Sequence, residues 1–243
     1  MTRELKDPIK IYAKDFSDSV TTPMLSVDLS KFDSPGQSQY FSSCTADALV
    51  SAYENMLNQK GVEYSASLSR MWNWYYARSI KNNQYNNVGS SCTDSLAALM
   101  TNGLCLESDW NYSQAHYAQM PPNGYENKVS MYYIKNRIQI TSINELCFAL
   151  TIGKPVVFST SASGVGLHAM CVVGYNSNTN TFICKDSNWD SDGNFYKELS
   201  WEYMNTKVWD MWTFEIDDNP PVFNKWLKFW WYRLFKKIVN TIL

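Results

Sequence analysis

Histidine is scarce in this sequence: the 243 residues include only two, His116 and His168. Two imidazoles cannot build a zinc site of a common type, and the six cysteines include no Cys-x-x-Cys pair. We therefore expect neither a metal nor another cofactor. The scarcity makes the position of His168 informative, because it opens the apolar run HAMCVVGY, which has the composition of a buried strand.

A large net charge and long apolar runs are lacking too. The formal net charge is −2, which gives no electrostatic footprint for nucleic acid. Residues 1–15 are charged throughout and show no secretory signal, and no stretch is long and uncharged enough to span a bilayer. We expect a cytoplasmic, virion-associated or host-delivered protein. An even number of cysteines would permit disulfides, but free thiols are favoured without an export signal.

The apolar residues show two different patterns along the chain, one typical of helices and one typical of strands. Apolar residues at helical spacing predict four helices, over 44–60, 67–80, 93–102 and 143–152. Short β-branched or aromatic runs predict strands over 155–160, 168–175, 181–185 and 211–216. Helices followed by strands favour an α+β protein in which a helical lobe packs on a sheet or barrel lobe.

Three residues in these elements combine into a chemical hypothesis. Cys44 lies at a predicted helix start, where the positive end of the helix dipole favours a thiolate. Taken alone, a cysteine such as Cys44 is more often a small buried apolar residue. His168 at the exposed leading end of a strand would supply an imidazolium that stabilises the thiolate and protonates a leaving amine. Asp186, just after the next strand, would accept the other ring N–H and orient the imidazole.

Several stretches, in order, resemble motifs of one enzyme family. They are SVDLSKFDSPGQSQYFSSCTADALVSAYE, SLSRMWNWYYAR, VGSSCTDSLAALMTNGLCLESDWNY and HAMCVVGYNSNTNTFICKDSNWDSDGNFY. The chain resembles papain-like (C1 family) cysteine peptidases, especially their compact bacterial and viral forms, over about residues 24–216. The resemblance implies a two-lobe peptidase domain over 24–218 with a cleft between the lobes. It leaves an N-terminal extension over 1–23 and a C-terminal helix over 219–243.

The sequence departs from that family pattern in three places. The family's oxyanion glutamine stands six residues before the cysteine, where this chain has a serine between Gln37 and Gln39. Gln37 takes the role if the loop carries one inserted residue, and Gln39 is the alternative. Asp186 replaces the family's orienting asparagine, with Asn188 as the alternative orienter. The following loop is short and leaves Trp189 to shield the imidazole and its orienter from water.

The resemblance also indicates where a polypeptide substrate would bind. Gly89 matches a glycine whose bare backbone pairs with an extended substrate, although an ordinary turn also explains it. Ser90 lines the same rim, and Leu167 joins it beside the histidine. The other histidine is interpreted as a surface residue. Core positions are expected for Cys105, Cys171 and Cys184.

The segment 222–243 has five basic residues and no acidic one. On a helix its aromatic and aliphatic residues would share one face, which suits a membrane interface or a partner protein. Docking on the chain's own sheet is the alternative. The leading functional prediction is a peptidase with Cys44, His168 and Asp186 in its active site. An amidase, deamidase or acyltransferase, or a catalytically weak binding module anchored by this segment, remain open because fold does not fix reaction.

Overall fold

The computed structural model describes residues 9–10, 26–62, 67–127, 131–162, 166–188 and 193–217. The predicted C-terminal helix and Trp189 lie outside these residues, as does most of the N-terminal extension. None of the described helices has both the length and the apolar character needed to cross a bilayer.

Five α-helices lie in the described part of the chain: α1 Cys44–Gln59, α2 Arg70–Ser79, α3 Cys92–Thr101, α4 Ile143–Thr151 and α5 Trp201–Lys207. The four predicted helices are confirmed, and α1 ends before Gly61, which has a φ of 65°. Helix α5 was missed because it is only seven residues long and buries a single side chain, that of Met204.

The helix starts differ in one respect that matters for the site. A serine hydroxyl caps each of α2, α3, α4 and α5 by accepting a backbone N–H of the first turn, and these caps are Ser69, Ser91, Ser142 and Ser200. Helix α1 has no side-chain cap. Ser43 instead donates its hydroxyl to Asp47 at 2.6 Å. The first N–H groups of α1 are therefore free of a side-chain acceptor.

The strands are β1 Ile9–Lys10, β2 Val27–Asp28, β3 Ile134–Ile140, β4 Val156–Ala162, β5 Gly166–Asn176, β6 Thr181–Lys185, β7 Tyr196–Ser200 and β8 Val208–Ile216. In the described residues they form one sheet in the order β1-β3-β8-β4-β5-β6-β7, with β2 paired to β5 outside that order. All pairs are antiparallel except β1 with β3. Residues 168–175 of β5 are all buried, because the strand is central and covered on both faces.

Two apolar clusters meet at α1. The larger lies between the sheet and the helices α1, α3 and α4, and includes Leu49 and Tyr53. The smaller belongs to the helical lobe and joins Ala46 of α1 to Trp72 and Trp74 of α2. Burial of each large side chain contributes about 1.5–3 kcal/mol. Contacts on both sides thus fix α1, and the predicted two-lobe α+β architecture is confirmed.

All six cysteines are free, and all except Cys44 are buried. Cys105, Cys171 and Cys184 lie in the core, as the sequence indicated. Among the residues that the structure describes, no group of three His, Cys, Asp or Glu side chains is placed to hold a metal ion. Cys44 is the thiol with access to solvent.

Candidate active site

Cys44 is the first residue of α1 and is partly exposed. Its thiol lines the same cavity as His168 and contributes to the raised pKa of that imidazole. Because no side chain caps α1, the positive end of the helix dipole acts directly on the sulfur and on any oxygen bound beside it. Cys44 therefore stands at a helix start, as the sequence predicted.

His168 is the third residue of β5, two residues further into the strand than the sequence suggested. For that reason its side chain is buried instead of exposed at the strand's leading end. Nε2 lies 2.6 Å from Oδ1 of Asp186, which leaves Nδ1 for the thiol of Cys44. Burial alone would lower the pKa of His168, but hydrogen bonds to Asp186 and Cys44 outweigh it and raise the pKa to about 9.

Asp186 follows β6 directly and its carboxylate is fully buried. Besides His168, it accepts the backbone N–H of Asn188 at 2.9 Å and the ammonium of Lys197. Burial raises the pKa of Asp186, but His168, Asn188 and Lys197 together bring it below its usual value. Asn188 thus supplies a backbone donor, and the carboxylate of Asp186 holds the imidazole.

Lys197 was not found from the sequence. It lies on β7, where it pairs with Cys184 of β6 in the strand register. That register carries its side chain to Asp186, two residues further along the chain from Cys184. No local motif around Lys197 signals this contact, because it depends on the pairing of β6 with β7.

The two candidate oxyanion glutamines occupy different places. Gln39 is tied to Ser187, the residue after Asp186: its backbone N–H donates to the Ser187 carbonyl at 3.1 Å, and its Oε1 accepts the Ser187 hydroxyl at 2.7 Å. Its Nε2 donates to the Phe41 carbonyl at 2.7 Å, so one of its two amide hydrogens is committed. Gln37 lines a narrow space together with Glu54, Lys185 and Asp186.

A buried polar network holds the segment that carries these glutamines. Arg70 pairs with Asp47 and also donates to the carbonyl of Ser38 at 2.9 Å. The guanidinium stacks on Tyr112, whose hydroxyl lies 2.6 Å from that of Ser43 and accepts two backbone N–H groups of the same segment. These bonds fix the entry into α1 and hence the position of Cys44.

A cavity of about 410 Å³ opens beside Cys44 and His168. The three residues predicted to bind substrate, Gly89, Ser90 and Leu167, all line it. Thr45 donates its hydroxyl to the Ser90 carbonyl at 2.8 Å and so joins the start of α1 to this rim. The volume is in the usual range for a ligand site. Sequence reasoning missed other lining residues, among them Ser159, Trp209 and Asp210.

A helical lobe joined to a mainly antiparallel sheet, with a thiol and an imidazole lining one cavity where they meet, defines the class of papain-like cysteine peptidases. Xylellain, a cysteine protease from Xylella fastidiosa, superposes with a TM-score of 0.71 at 20% identity, covering 82% of this chain and 88% of that one. The digestive procathepsin L2 proteinase from the Tenebrio molitor larval midgut superposes with a TM-score of 0.68 at 20% identity, covering 86% of this chain and 74% of that one. At these identities the likeness establishes the fold.

Sequence comparison identifies the family. Residues 48–215 match the model of the Peptidase_C39 like family, and the chain belongs to that family. The match begins four residues after Cys44, so it does not include the thiol. An uncharacterized peptidase C1-like protein of Acanthamoeba polyphaga mimivirus is 27% identical over 204 residues, which are 69% of this chain. The aligned part covers 66% of that relative's length, just under two thirds.

Proposed function

We propose that the protein is a thiol-dependent peptidase with Cys44 as nucleophile, His168 as acid and base, and Asp186 as the orienting residue. The observation that carries this proposal is the placement of Cys44 and His168 at the wall of one open cavity, with His168 held by Asp186 at 2.6 Å. The thiol of Cys44 also contributes to the raised pKa of His168. Within the papain-like class we propose a C1-type organisation. The order of the sequence motifs and the C1-like mimivirus relative support it.

The first half of the reaction forms a thioester. The Cys44 thiolate attacks the peptide carbonyl carbon, and the displaced electron pair makes an oxyanion beside the uncapped start of α1. The backbone N–H of Cys44 and a glutamine amide donate to that oxygen. As the oxyanion collapses, the C–N bond breaks and the His168 imidazolium gives its proton to the leaving amine.

The second half releases the acid product. Neutral His168 removes a proton from water, and the resulting hydroxide adds to the thioester carbon. The C–S bond then breaks, the sulfur leaves as a thiolate, and the imidazolium is present again beside it. Asp186 keeps Nε2 occupied throughout, so the other ring nitrogen always faces the reacting atoms.

A thiol-directed epoxide tests whether this thiolate exists. We expect stoichiometric labelling of the full chain at Cys44, detected by intact-protein and peptide mass spectrometry, because the thiol is both accessible and paired with His168. Labelling should vanish in Cys44→Ala and be strongly slowed in His168→Ala. Cys147→Ala, which changes a buried thiol of α4 outside the cavity, is the matched control and should label normally.

The same preparation is then given a mixture of peptides from digested proteins. New amino termini that are absent with Cys44→Ala identify a peptidase. Labelling without any cleavage would refute peptide hydrolysis and favour one of the other thiol acyl-transfer reactions. The absence of labelling at Cys44 would refute the thiolate itself.

The pH profile gives a second test, because the raised pKa of His168 is about 9. Activity requires the imidazolium, so we expect kcat/KM to fall as pH rises through about 9. The stabilising effect of the same ionisation on the fold is complete below the ordinary histidine pKa of about 6.5, and is lost as pH rises through the folded value. Thermal unfolding measured across this range should show the loss.

Lys197 should influence the pH at which kcat/KM falls on the alkaline side of the profile, called here the alkaline limb. Its ammonium shares Asp186 with the imidazole, so Lys197→Met leaves the carboxylate to stabilise the imidazolium alone. We expect the limb to move to higher pH in Lys197→Met and to stay in place in Lys197→Arg, measured as kcat/KM against pH. A limb that stays in place in Lys197→Met, or moves down, would contradict this positioning role.

A further inference from the structure

Three cross-strand neighbours form the floor of the cavity beside the proposed nucleophile. Asp210 of β8 pairs with Ser159 of β4, and Ser159 pairs in turn with Ala169 of β5. All three line the cavity, as expected of directly opposed residues, which share one face of a sheet. Ala169 follows His168 in the chain, so the row starts one residue from the proposed acid–base. The small side chains of Ser159 and Ala169 leave space in front of Asp210.

Besides His168, whose partner is Asp186, two cationic side chains line the cavity, and both already have partners. Each of the three nitrogens of Arg78 donates to a backbone carbonyl, and its guanidinium stacks on Trp74 at 3.5 Å. Lys81 pairs with Asp94 at 2.7 Å. Neither cation is placed to neutralise the remaining carboxylate, that of Asp210.

The carboxylate of Asp210 accepts one hydrogen bond within the described residues, from the indole N–H of Trp212. No lysine, arginine or histidine in the described part of the chain forms an ion pair with it. Burial raises the pKa of Asp210, and the indole N–H only partly offsets this. A half-buried carboxylate without a cation is costly, and a cationic group brought by a ligand would relieve that cost.

A β-bulge brings an aromatic ring to the same cavity. Thr160 pairs with Val208 and Ser159 with Asp210, so Trp209 is an extra residue on β8. Such a bulge turns a side chain that would otherwise face the other side of the sheet. Trp209 and Leu167 both line the cavity and are 55% and 77% exposed. An indole face attracts a cation, and both side chains can cover an aliphatic stem.

We propose that this cavity binds a lysine or arginine side chain of the polypeptide substrate, close to the bond that is cut. The charged end pairs with Asp210, and the stem lies along Trp209 and Leu167. This inference rests on the proposed peptidase function and adds a substrate class to it. Residues that carry a negative charge at this position are disfavoured by the same carboxylate.

The test uses two epoxide probes that differ only in one side chain, arginine or norleucine. The measured quantity is the second-order rate of Cys44 labelling in the full chain, so no peptide turnover is needed. With the unaltered protein, we expect the arginine probe to label Cys44 at least about tenfold faster than the norleucine probe. The reason is that the arginine would form a desolvated charge pair with Asp210. In Asp210→Asn the ratio of the two labelling rates, arginine probe over norleucine probe, should fall to about one. The exposed Asp28→Asn, on β2 outside the cavity, should keep the original ratio.

Each outcome separates this inference from the proposed function. Labelling of Cys44 with equal rates for the two probes, or a ratio unchanged in Asp210→Asn, would overturn the basic-side-chain preference and leave the thiolate established. Loss of the ratio in Asp94→Asn but not in Asp210→Asn would overturn the assignment to Asp210. No labelling by either probe would overturn both proposals together.

Discussion

Replacing His168 by alanine is expected to lower kcat/KM for a cleaved peptide by about a thousandfold or more. Two functions of the imidazole disappear together: stabilisation of the Cys44 thiolate and protonation of the leaving amine. The bond from Nε2 to Asp186 holds the ring in one orientation. The assay is the initial rate of peptide cleavage at neutral pH, with the folded fraction checked by thermal unfolding.

The same variant in a double-mutant cycle tests whether Cys44 and His168 act as one unit. Cys44→Ala should reduce the rate to the background, and adding His168→Ala to it should cause no further loss, since residues that act together are strongly non-additive. His116→Ala is the matched control: it changes the second histidine, whose ring stacks on Trp110 at 4.1 Å outside the cavity. Its kcat/KM should stay within about twofold, as usual for a surface substitution. A His168→Ala enzyme that retains a tenth of the activity would refute the assignment.

The periodicity of apolar residues was sufficient for much of the fold. Helix α1 and strand β5 were predictable because one shows apolar side chains at helical spacing and the other is apolar almost throughout. Strand β3 was missed because a register shift between Ile134 and Asn136 interrupts its alternation. Strand β7 was missed because it lies at the edge of the described sheet order and is largely polar. Tertiary pairing defines both of these strands.

In the candidate site, too, some features follow from local sequence patterns and others depend on tertiary pairing. Cys44, His168 and Asp186 could be proposed separately, because each stands at or within two residues of an element boundary that the sequence marks. Their hydrogen bonds depend on the pairing of β5 with β6 and on the packing of α1, which no local pattern specifies. For that reason the roles of Lys197 and Asp210 could not be predicted from the sequence. One reaches Asp186 through the β6–β7 register, and the other reaches the cavity beside a bulge in β8.

The oxyanion donor is the part of the site that the sequence left open, and the structure suggests how to decide it. We propose Gln39, because Ser187 holds its side-chain oxygen and Phe41 takes only one of its amide hydrogens. The other hydrogen has no acceptor among the described residues, and our proposal assigns it to the oxyanion. Gln37 lines a narrow space that does not include Cys44.

Gln39→Ala is therefore expected to lower kcat by about a hundredfold to a thousandfold, the usual effect of removing one oxyanion donor. Gln37→Ala, the matched variant two residues away, should lower it by less than about threefold, since an amide outside the oxyanion site contributes nothing there. Both variants should still react with the epoxide probe, because the donor acts on the transition state and not on the thiolate. The reverse order of effects would show that the segment before α1 rearranges when substrate binds and presents Gln37. Because hydrogen bonds with Arg70 and Tyr112 hold this segment at several points, we expect its conformation in the free protein to persist in the complex, and Gln39→Ala to have the larger effect.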